Sequence, residues 1–465
     1  STFILPDRLK FCLRPRRLDL PGAASNLGRQ PAREGASPLH TTTELLQFLF
    51  APMISLAREL PLRKKDRGPI SWYFVVTLLV ILAYGLVMLF SASYSVSYQE
   101  TGDSLSQIRQ QLIFAIVGVA AMFFLSALDY RALRYLNWYL YVVTLVLLAA
   151  ALFSNNSTNQ EAGVHRWVEV FGVTFQPSEL AKFSVILGTA AFVEGHREKK
   201  KTFLYGILLP TLPLLPILLL IRLQPHWSAI ILILMIYFTM LICGGCGLKF
   251  MLPTIAAGAA GMIYLLSSQE NYVQTRLDGW QLFSYDVSTM TDQTAQSIYS
   301  IASGGLFGRG IGNSVQKHQW LPEVTNDFIF PIICEELGFI GALVCILLFA
   351  ALIVQGILIA MRAPDLFGSL MGVGIMGQIA WQVFCNIGVV TNTIPNTGIS
   401  LPFFSSGGTS LLMLLGEMGI MLSISRVGNA RIEEQRRRSR EEFAHKLERA
   451  TRRTTYRRRE PTSTI

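Results

Sequence analysis

Charged residues are scarce in this chain. Only 15% of its 465 residues are Asp, Glu, Lys or Arg, whereas 51% are hydrophobic, and the mean hydropathy is +0.42. Soluble domains carry about 25% charged residues, so the composition argues against a soluble globular enzyme and favours a protein that crosses a membrane several times. No nucleic-acid partner is expected, although the net charge is +10.

Cysteine is also sparse, and a common nucleotide motif is missing. The 6 cysteines include Cys243 and Cys246 in the sequence CGGC, but no second ligand pair accompanies them. Packing is therefore favoured over a metal or redox site. The sequence contains no GxxxxGK[ST], which excludes a nucleotide P-loop.

Long apolar runs are abundant. A hydropathy scan predicts ten segments of about 20 residues, the length that crosses a bilayer, near 72–93, 109–128, 135–153, 178–195, 203–222, 226–243, 249–267, 327–361, 367–390 and 402–425. The eighth is long enough to be tilted or to project beyond the bilayer. Lys and Arg cluster in alternate connections, which are therefore placed inside. The sequence predicts an all-α polytopic membrane protein with ten transmembrane helices, both termini cytoplasmic and a large fourth extracytoplasmic loop.

The two ends of the chain are basic and are expected to lie outside the membrane core. Residues 1–70 are predicted to form a cytoplasmic basic extension, largely disordered, in which residues 1–52 precede a natural start at Met53 and play no part in the core activity. Residues 71–426 form the ten-helix core. Residues 427–465 form a cytoplasmic basic tail, for which a solvated tail and contact with anionic headgroups of the inner leaflet are two open interpretations.

Charges return in the outer loops. In GVHRWVEVFGVTFQPSELAKF (163–183), Pro177 suits the first turn of a helix and Glu179 favours its positive end. Lys182 follows one turn later on the same face. Two interpretations stay open: a local Glu179–Lys182 pair that closes the helix end, or a cation directed into a polar cavity, with Arg166 as a second cation from the loop.

The fourth outer loop adds glycines and carboxylates. The segment SGGLFGRGIGNSVQK (303–317) predicts a tight loop whose backbone approaches another group closely, and a phosphate-binding nest is one option. The next segment, LPEVTNDFIFPIICEELG (321–338), places carboxylates beside a bilayer-length run, where they need partners. Together these loops describe an outward-facing cleft suited to an anionic, lipid-linked substrate.

Three motifs in register resemble a known family. RW…QPSELAK, GG..G.G.GNS.QK…LPE…DFIF…EELG and TGI.LPF.S.GG are similar to the SEDS proteins, the FtsW/RodA family of bacterial peptidoglycan glycosyltransferases, over about residues 70–428. GNSVQK followed by WLPE is more similar to the division and sporulation branch, FtsW and SpoVE, than to RodA. The resemblance implies a multi-pass protein of the bacterial cytoplasmic membrane whose active site faces outside. It would join lipid II, the undecaprenyl-diphosphate-linked disaccharide-peptide, into glycan strands by inverting transfer, with release of undecaprenyl diphosphate.

The resemblance also assigns the base. The family's catalytic Asp lies a fixed stretch before a Gln..Gln-Ser run, and counting back seven residues from Gln293 gives Asp286. Val287 follows it where the family usually has Pro, and Asp278 is the alternative. This carboxylate would act as general base toward the acceptor hydroxyl.

The departing diphosphate needs positive charge more than a proton donor. The residues expected to bind it or to line the cleft are Arg166, Glu179, Lys182, Arg276, Gln293, Lys317, Asp327, Glu336 and Ser406. No definite cofactor is implied, and Mg²⁺ or Mn²⁺ is an alternative source of positive charge. Asp327 is expected to cap the eighth span. Glu336 is the preferred partner of Lys182 or Arg166, in the cleft or as a structural pair between spans four and eight.

Two positions depart from the family pattern. His226 stands in Gln224-Pro225-His226 where the family commonly has QPD, so the role of that Asp does not carry over. Ser406 lies in SSGG, where the family has SYGG, and removes an aromatic ring from the last cleft loop.

The resemblance implies a class B penicillin-binding protein transpeptidase as partner, together with other divisome proteins. Small residues for close helix approach to it occur in spans eight and nine: Gly338, Gly341, Gly368, Gly372, Gly374 and Gly377. The alternative functions are a flippase for the lipid-linked precursor, which would need no base, and a scaffold without enzymatic activity.

Overall fold

The structure, a computed structural model, describes residues 66–154, 165–170, 173–247, 249–254, 290–318 and 320–457, with residues 256, 258 and 280 between them. Its helices are α1 (Trp72–Thr101), α2 (Ser106–Ser126), α3 (Leu133–Leu152), α4 (Pro177–Gly195), α5 (Leu214–Leu223), α6 (Trp227–Cys243), α7 (Asp292–Gly304), α8 (Ile329–Met361), α9 (Leu366–Val390) and α10 (Gly408–Arg457). A 3₁₀ turn, Tyr130–Ala132, precedes α3, and a π-helical turn, Leu204–Leu208, runs through Leu209–Thr211 toward α5. Most of the predicted seventh span, 249–267, lies outside the described residues.

The described helices have the composition of membrane helices. Seven candidate spans in the described ranges are long and apolar enough to cross a bilayer, and α6 is a shorter apolar helix of 17 residues. The polytopic all-α class predicted from the sequence is confirmed. The number of ten spans and their orientation stay predictions.

A small hairpin departs from the purely helical expectation. Strand β1 (Val168–Val170) pairs antiparallel with β2 (Val173–Phe175), with Val168 opposite Phe175. Its two strands lie in the chain between Arg166 and the start of α4.

The helices bury their apolar faces against one another. α10 packs along α2, and Gly419 allows close approach because a Cβ at this position would lie 2.6 Å from the Met122 carbonyl oxygen. α4 packs against α3, α6 and α9, so its residues 181–187 are all buried. The polar side chains of this stretch, Lys182 and Ser184, therefore lie inside the bundle.

α8 is longer than a bilayer requires and is interrupted. It has 33 residues, and Gly338 within it adopts φ 67° and ψ −167°, a conformation that L side chains rarely adopt. The turns before this kink, 329–337, contain Glu335 and Glu336. The kink lets the Gly-rich loop before α8 reach the helix backbone.

Candidate active site

The first cluster forms at the start of α4. Pro177 occupies the first turn, and the Lys182 ammonium lies 2.7 Å from a Glu179 carboxylate oxygen, with only 3% and 9% of the two residues exposed. Ser410, in the first turn of α10, donates a hydrogen bond of 3.2 Å to the other Glu179 oxygen. The predicted local Glu179–Lys182 pair is therefore present, and it lies inside the bundle next to α10.

Sequence reasoning missed a third carboxylate beside this pair. Glu417, two turns along α10 from Ser410, is 3% exposed and accepts a hydrogen bond of 3.1 Å from the Gln378 amide of α9. Glu179 and Lys182 lie within electrostatic range of it. The available signal was a single carboxylate inside the apolar run LLMLLGEMGIML, since an ionisable residue at that depth usually has a functional or pairing role.

Arg166 contacts the turn between α5 and α6. Its guanidinium donates to the carbonyl oxygens of Pro225 at 2.7 Å and Gln224 at 3.4 Å. His226 follows in the same turn, outside both helices. The Nδ1 atom of His226 is buried and makes no hydrogen bond within the described residues. The turn thus presents an imidazole where the family commonly has the carboxylate of an Asp.

A small polar pocket lies between the last outer loop, α9 and the start of α10. Its lining includes Gln382 of α9, Ser406 and Ser410. The Ser406 N–H donates to the Thr325 carbonyl oxygen at 2.7 Å, which attaches this loop to the segment before α8. The structure therefore brings Ser406 close to the Glu179–Lys182 pair through Ser410.

Gln293 and Asp327 do not line this pocket, and each accepts a hydrogen bond from an Asn side chain. Gln293 accepts a hydrogen bond of 2.9 Å from Asn396, and Asn386 of α9 donates to the Asp327 carbonyl oxygen at 2.7 Å. The expectation that Asp327 caps α8 is wrong. The residue at that cap is Phe328, and no side chain forms a cap hydrogen bond there.

Glu336 is fully buried, and its partner differs from the predicted one. Its carboxylate lies 2.9 Å from the Lys317 ammonium and accepts hydrogen bonds of 2.6 and 2.8 Å from Ser91 of α1. The predicted pairing with Lys182 or Arg166 is wrong, because the first turns of α8 face α1 and the Gly-rich loop. The pair holds that loop to α8 and does not join spans four and eight.

The Lys317 ammonium bonds to acceptors within the protein. Its ammonium donates to Glu336, to the Gly312 carbonyl oxygen at 2.7 Å and to Ser91 at 3.3 Å, which occupies its three donors. Lys317 is 4% exposed. The structure thus places Lys317 and Glu336 in the contact between the Gly-rich loop and α8.

Glu335 completes this contact. Its carboxylate accepts hydrogen bonds from Ser314 at 2.6 Å, from the Val315 N–H at 3.0 Å and from Arg309 at 3.2 Å. Burying a carboxylate is costly unless it is paired and hydrogen-bonded. Both carboxylates meet this requirement within the loop that precedes them.

The glycines of this loop serve backbone pairing with α8. The N–H groups of Arg309 and Gly310 donate to the carbonyl oxygens of Glu335 and Glu336, both at 2.9 Å. Gly308 has φ 79°, and a Cβ there would collide with the Glu336 carbonyl. The group that the loop backbone was predicted to approach is therefore α8 itself.

The remaining predicted residues are not covered. Asp286, Asp278 and Arg276 lie outside the described residues. Among the residues that are described, no group of three or more His, Cys, Asp or Glu side chains is arranged to hold a metal ion.

Comparisons with known proteins all give the same family. The family profile described as "Cell cycle protein", for FtsW, RodA and SpoVE, matches residues 71–430. Stage V sporulation protein E of Bacillus subtilis is 37% identical over 356 residues, covering 76% of this chain and 96% of that protein. The protein named "Probable peptidoglycan glycosyltransferase FtsW" of the same organism is 34% identical over 377 residues, covering 78% and 92%.

Solved structures of proteins in this family have a similar fold. A chain in the structure described as "Structural coordination of polymerization and crosslinking by a peptidoglycan synthase complex" is 26% identical, with a TM-score of 0.62 over 77% of this chain and 98% of that one. The crystal structure of the Thermus thermophilus rod shape determining protein RodA is 27% identical, with a TM-score of 0.56 over 77% and 97%.

Proposed function

This chain belongs to the FtsW/RodA/SpoVE family of cell cycle proteins, and from that premise we propose that it is a peptidoglycan glycosyltransferase that polymerises lipid II. The reaction would take place at the outer face of the bacterial cytoplasmic membrane. Inverting transfer would extend the glycan strand and release undecaprenyl diphosphate. Similarity to both SpoVE and FtsW favours a role in division or sporulation.

The observation that carries this proposal is the buried Glu179–Lys182 pair. A buried ammonium in a low-dielectric site stabilises developing negative charge more strongly than one in water. Glu179 holds the Lys182 side chain in place, and the polar pocket of Ser406 and Ser410 adjoins it. We assign Lys182 and Arg166 to the departing diphosphate, with Arg276 as a further cation.

The other half of the chemistry is removal of a proton from the attacking sugar hydroxyl. We assign this step to Asp286, with Asp278 as the alternative, because a carboxylate within hydrogen-bond reach of that hydroxyl would accept its proton in the transition state. The leaving diphosphate departs as an anion, so one general base and cationic side chains at the diphosphate are sufficient for the reaction. If a divalent cation takes part, it would add positive charge at the diphosphate.

We further propose a one-to-one complex with a class B penicillin-binding protein, which would cross-link the strands. The support is the similarity to a chain in a complex described as coordinating polymerization and crosslinking. The surface we propose is the exposed apolar side of α8, including Phe339, Leu347 and Val354. The span-eight and span-nine glycines were predicted to serve this contact. Gly372 and Gly374 instead face Ala360 and Ile186 inside the bundle.

Purified protein supplied with lipid II in detergent tests the polymerase against the flippase. A polymerase yields glycan strands without any bilayer, whereas a flippase yields none and moves labelled lipid II only in vesicles. The variant Lys182→Met is expected to lower the polymerisation rate, and Lys446→Met, on the exposed part of α10, is the matched control. Transport without polymer would overturn the proposal.

A further inference from the structure

A groove outside the candidate active site opens between α3, α4 and α5. It holds a cavity of about 310 Å³, which is at the lower end of the range of small-molecule sites. The residues that define it are Trp138, Tyr141, Ser184, Gly188, Pro213 and Ile217. We infer that this groove binds the acyl chain of an anionic phospholipid whose headgroup rests on the adjacent basic rim.

The groove exists because α5 does not begin as a regular helix. The π-helical turn Leu204–Leu208, followed by Pro210 and Pro213, interrupts regular backbone hydrogen bonding. The Tyr141 hydroxyl of α3 compensates by donating 2.9 Å to the Pro213 carbonyl oxygen. Gly188 keeps the floor of the groove low on the α4 side. The opening is therefore a built feature of the backbone.

The position and length of the groove suit a chain from one leaflet. Its lining on α4 runs from Ser184 to Phe192, which at 1.5 Å per residue is about 12 Å. One leaflet contributes about 15 Å of hydrocarbon. Trp138, 67% exposed and stacked on Tyr141, lies near the start of α3, where aromatic rings favour the interface. A much longer isoprenoid chain would extend beyond such a groove.

Basic residues at the rim of the groove would favour an anionic headgroup. At the same end of α3 and α4 the chain carries five cationic residues and two carboxylates: Arg134, Arg197, Lys199, Lys200 and Lys201 against Glu194 and Glu198. Lys200 donates to the Gly244 carbonyl oxygen, and Lys199 lies over the Tyr205 ring. Glu194 pairs with both Arg134 and Arg197. The excess positive charge stands at the end predicted to be cytoplasmic, and basic pockets between membrane helices on that side bind anionic headgroups.

One polar group inside the groove lacks a protein partner. The Ser184 hydroxyl is buried, with the residue 3% exposed, and accepts or donates no hydrogen bond within the described residues. It lies on the groove wall together with Thr189. A ligand or water reaching this depth would satisfy it.

Native mass spectrometry of the full chain in detergent, with added phosphatidylglycerol or phosphatidylcholine, tests the inference. Wild type should retain one phosphatidylglycerol and bind it more tightly than phosphatidylcholine. Gly188→Leu should abolish retention, whereas Gly188→Ala should not, because a Cβ there lies 3.6 Å from the nearest atom, in Asn137. Equal retention of the two lipids by wild type would overturn the proposal.

The rim has its own matched pair of variants. Arg197→Gln/Lys199→Gln should weaken the affinity for phosphatidylglycerol about thirtyfold. Each surface charge contributes about 1 kcal/mol to binding, and 1.4 kcal/mol corresponds to a tenfold change in affinity. Arg436→Gln/Arg440→Gln, on the exposed part of α10, removes the same charge from the basic tail and should leave retention unchanged. An equal loss in this variant would place the headgroup contact on the tail and overturn the proposal. If undecaprenyl phosphate displaces phosphatidylglycerol from wild type and is itself lost in Gly188→Leu, the occupant is the isoprenoid and the proposal is wrong.

Discussion

Replacing Lys317 by Met should destabilise the protein more than any single change to the exposed charges of its outer loops. The substitution leaves the Glu336 carboxylate, which is 0% exposed, without its cation at 2.9 Å. Removing one partner of a buried pair costs about 3–5 kcal/mol. The hydrogen bonds from Ser91 remain, so we expect the lower end of that range.

Two comparison variants isolate the buried charge as the cause. Lys317→Met/Glu336→Gln removes the uncompensated charge along with the cation and should recover half or more of the lost stability. Arg309→Met should lower the free energy of unfolding by only about 1 kcal/mol. Its partner Glu335 keeps the hydrogen bonds from Ser314 and Val315, and the Arg309 side chain is 42% exposed.

The assay is the free energy of unfolding in detergent micelles, measured by denaturant titration for the four proteins in parallel. The reasoning fails if Lys317→Met is no less stable than Arg309→Met. It fails equally if the double variant is as unstable as the single one, because the buried unpaired carboxylate would then not be the cause.

Two further outcomes follow from the site and from the contact between the Gly-rich loop and α8. Lys182→Met should reduce the polymerisation rate about 10²-fold, and a large loss of melting temperature with normal specific activity would instead make Lys182 purely structural. Gly308→Ala should lower the melting temperature more than Gly312→Ala, which has φ 86° but no atom within 4 Å of its Cβ; equal losses would refute the backbone contact.

The membrane fold could be predicted because its signals are local. Runs of about 20 apolar residues fix helices without reference to the rest of the chain, and the Pro177–Glu179–Lys182 spacing fixed a pair within one helix turn. The family resemblance of the three motifs was likewise confirmed by the match over residues 71–430.

The partners of Glu335 and Glu336 could not be predicted for the opposite reason. Pairing between helices depends on which faces meet, and that depends on the kink at Gly338 and on the loop folding back against α8. Glu417 was missed because an apolar run hides a single carboxylate from a hydropathy average. Its relation to Lys182 depends on the packing of α10 near α4.

The most direct test of the account measures lipid II polymerisation by purified wild type, Asp286→Asn and Asp278→Asn at matched concentration and melting temperature. Each substitution keeps the side-chain shape and removes the proton acceptor. We predict that the polymerisation rate of Asp286→Asn is lower than that of wild type by about 10²-fold or more, while that of Asp278→Asn stays near wild type. Normal polymerisation by Asp286→Asn would contradict the assignment of the base, and absence of polymer from wild type would contradict the central claim.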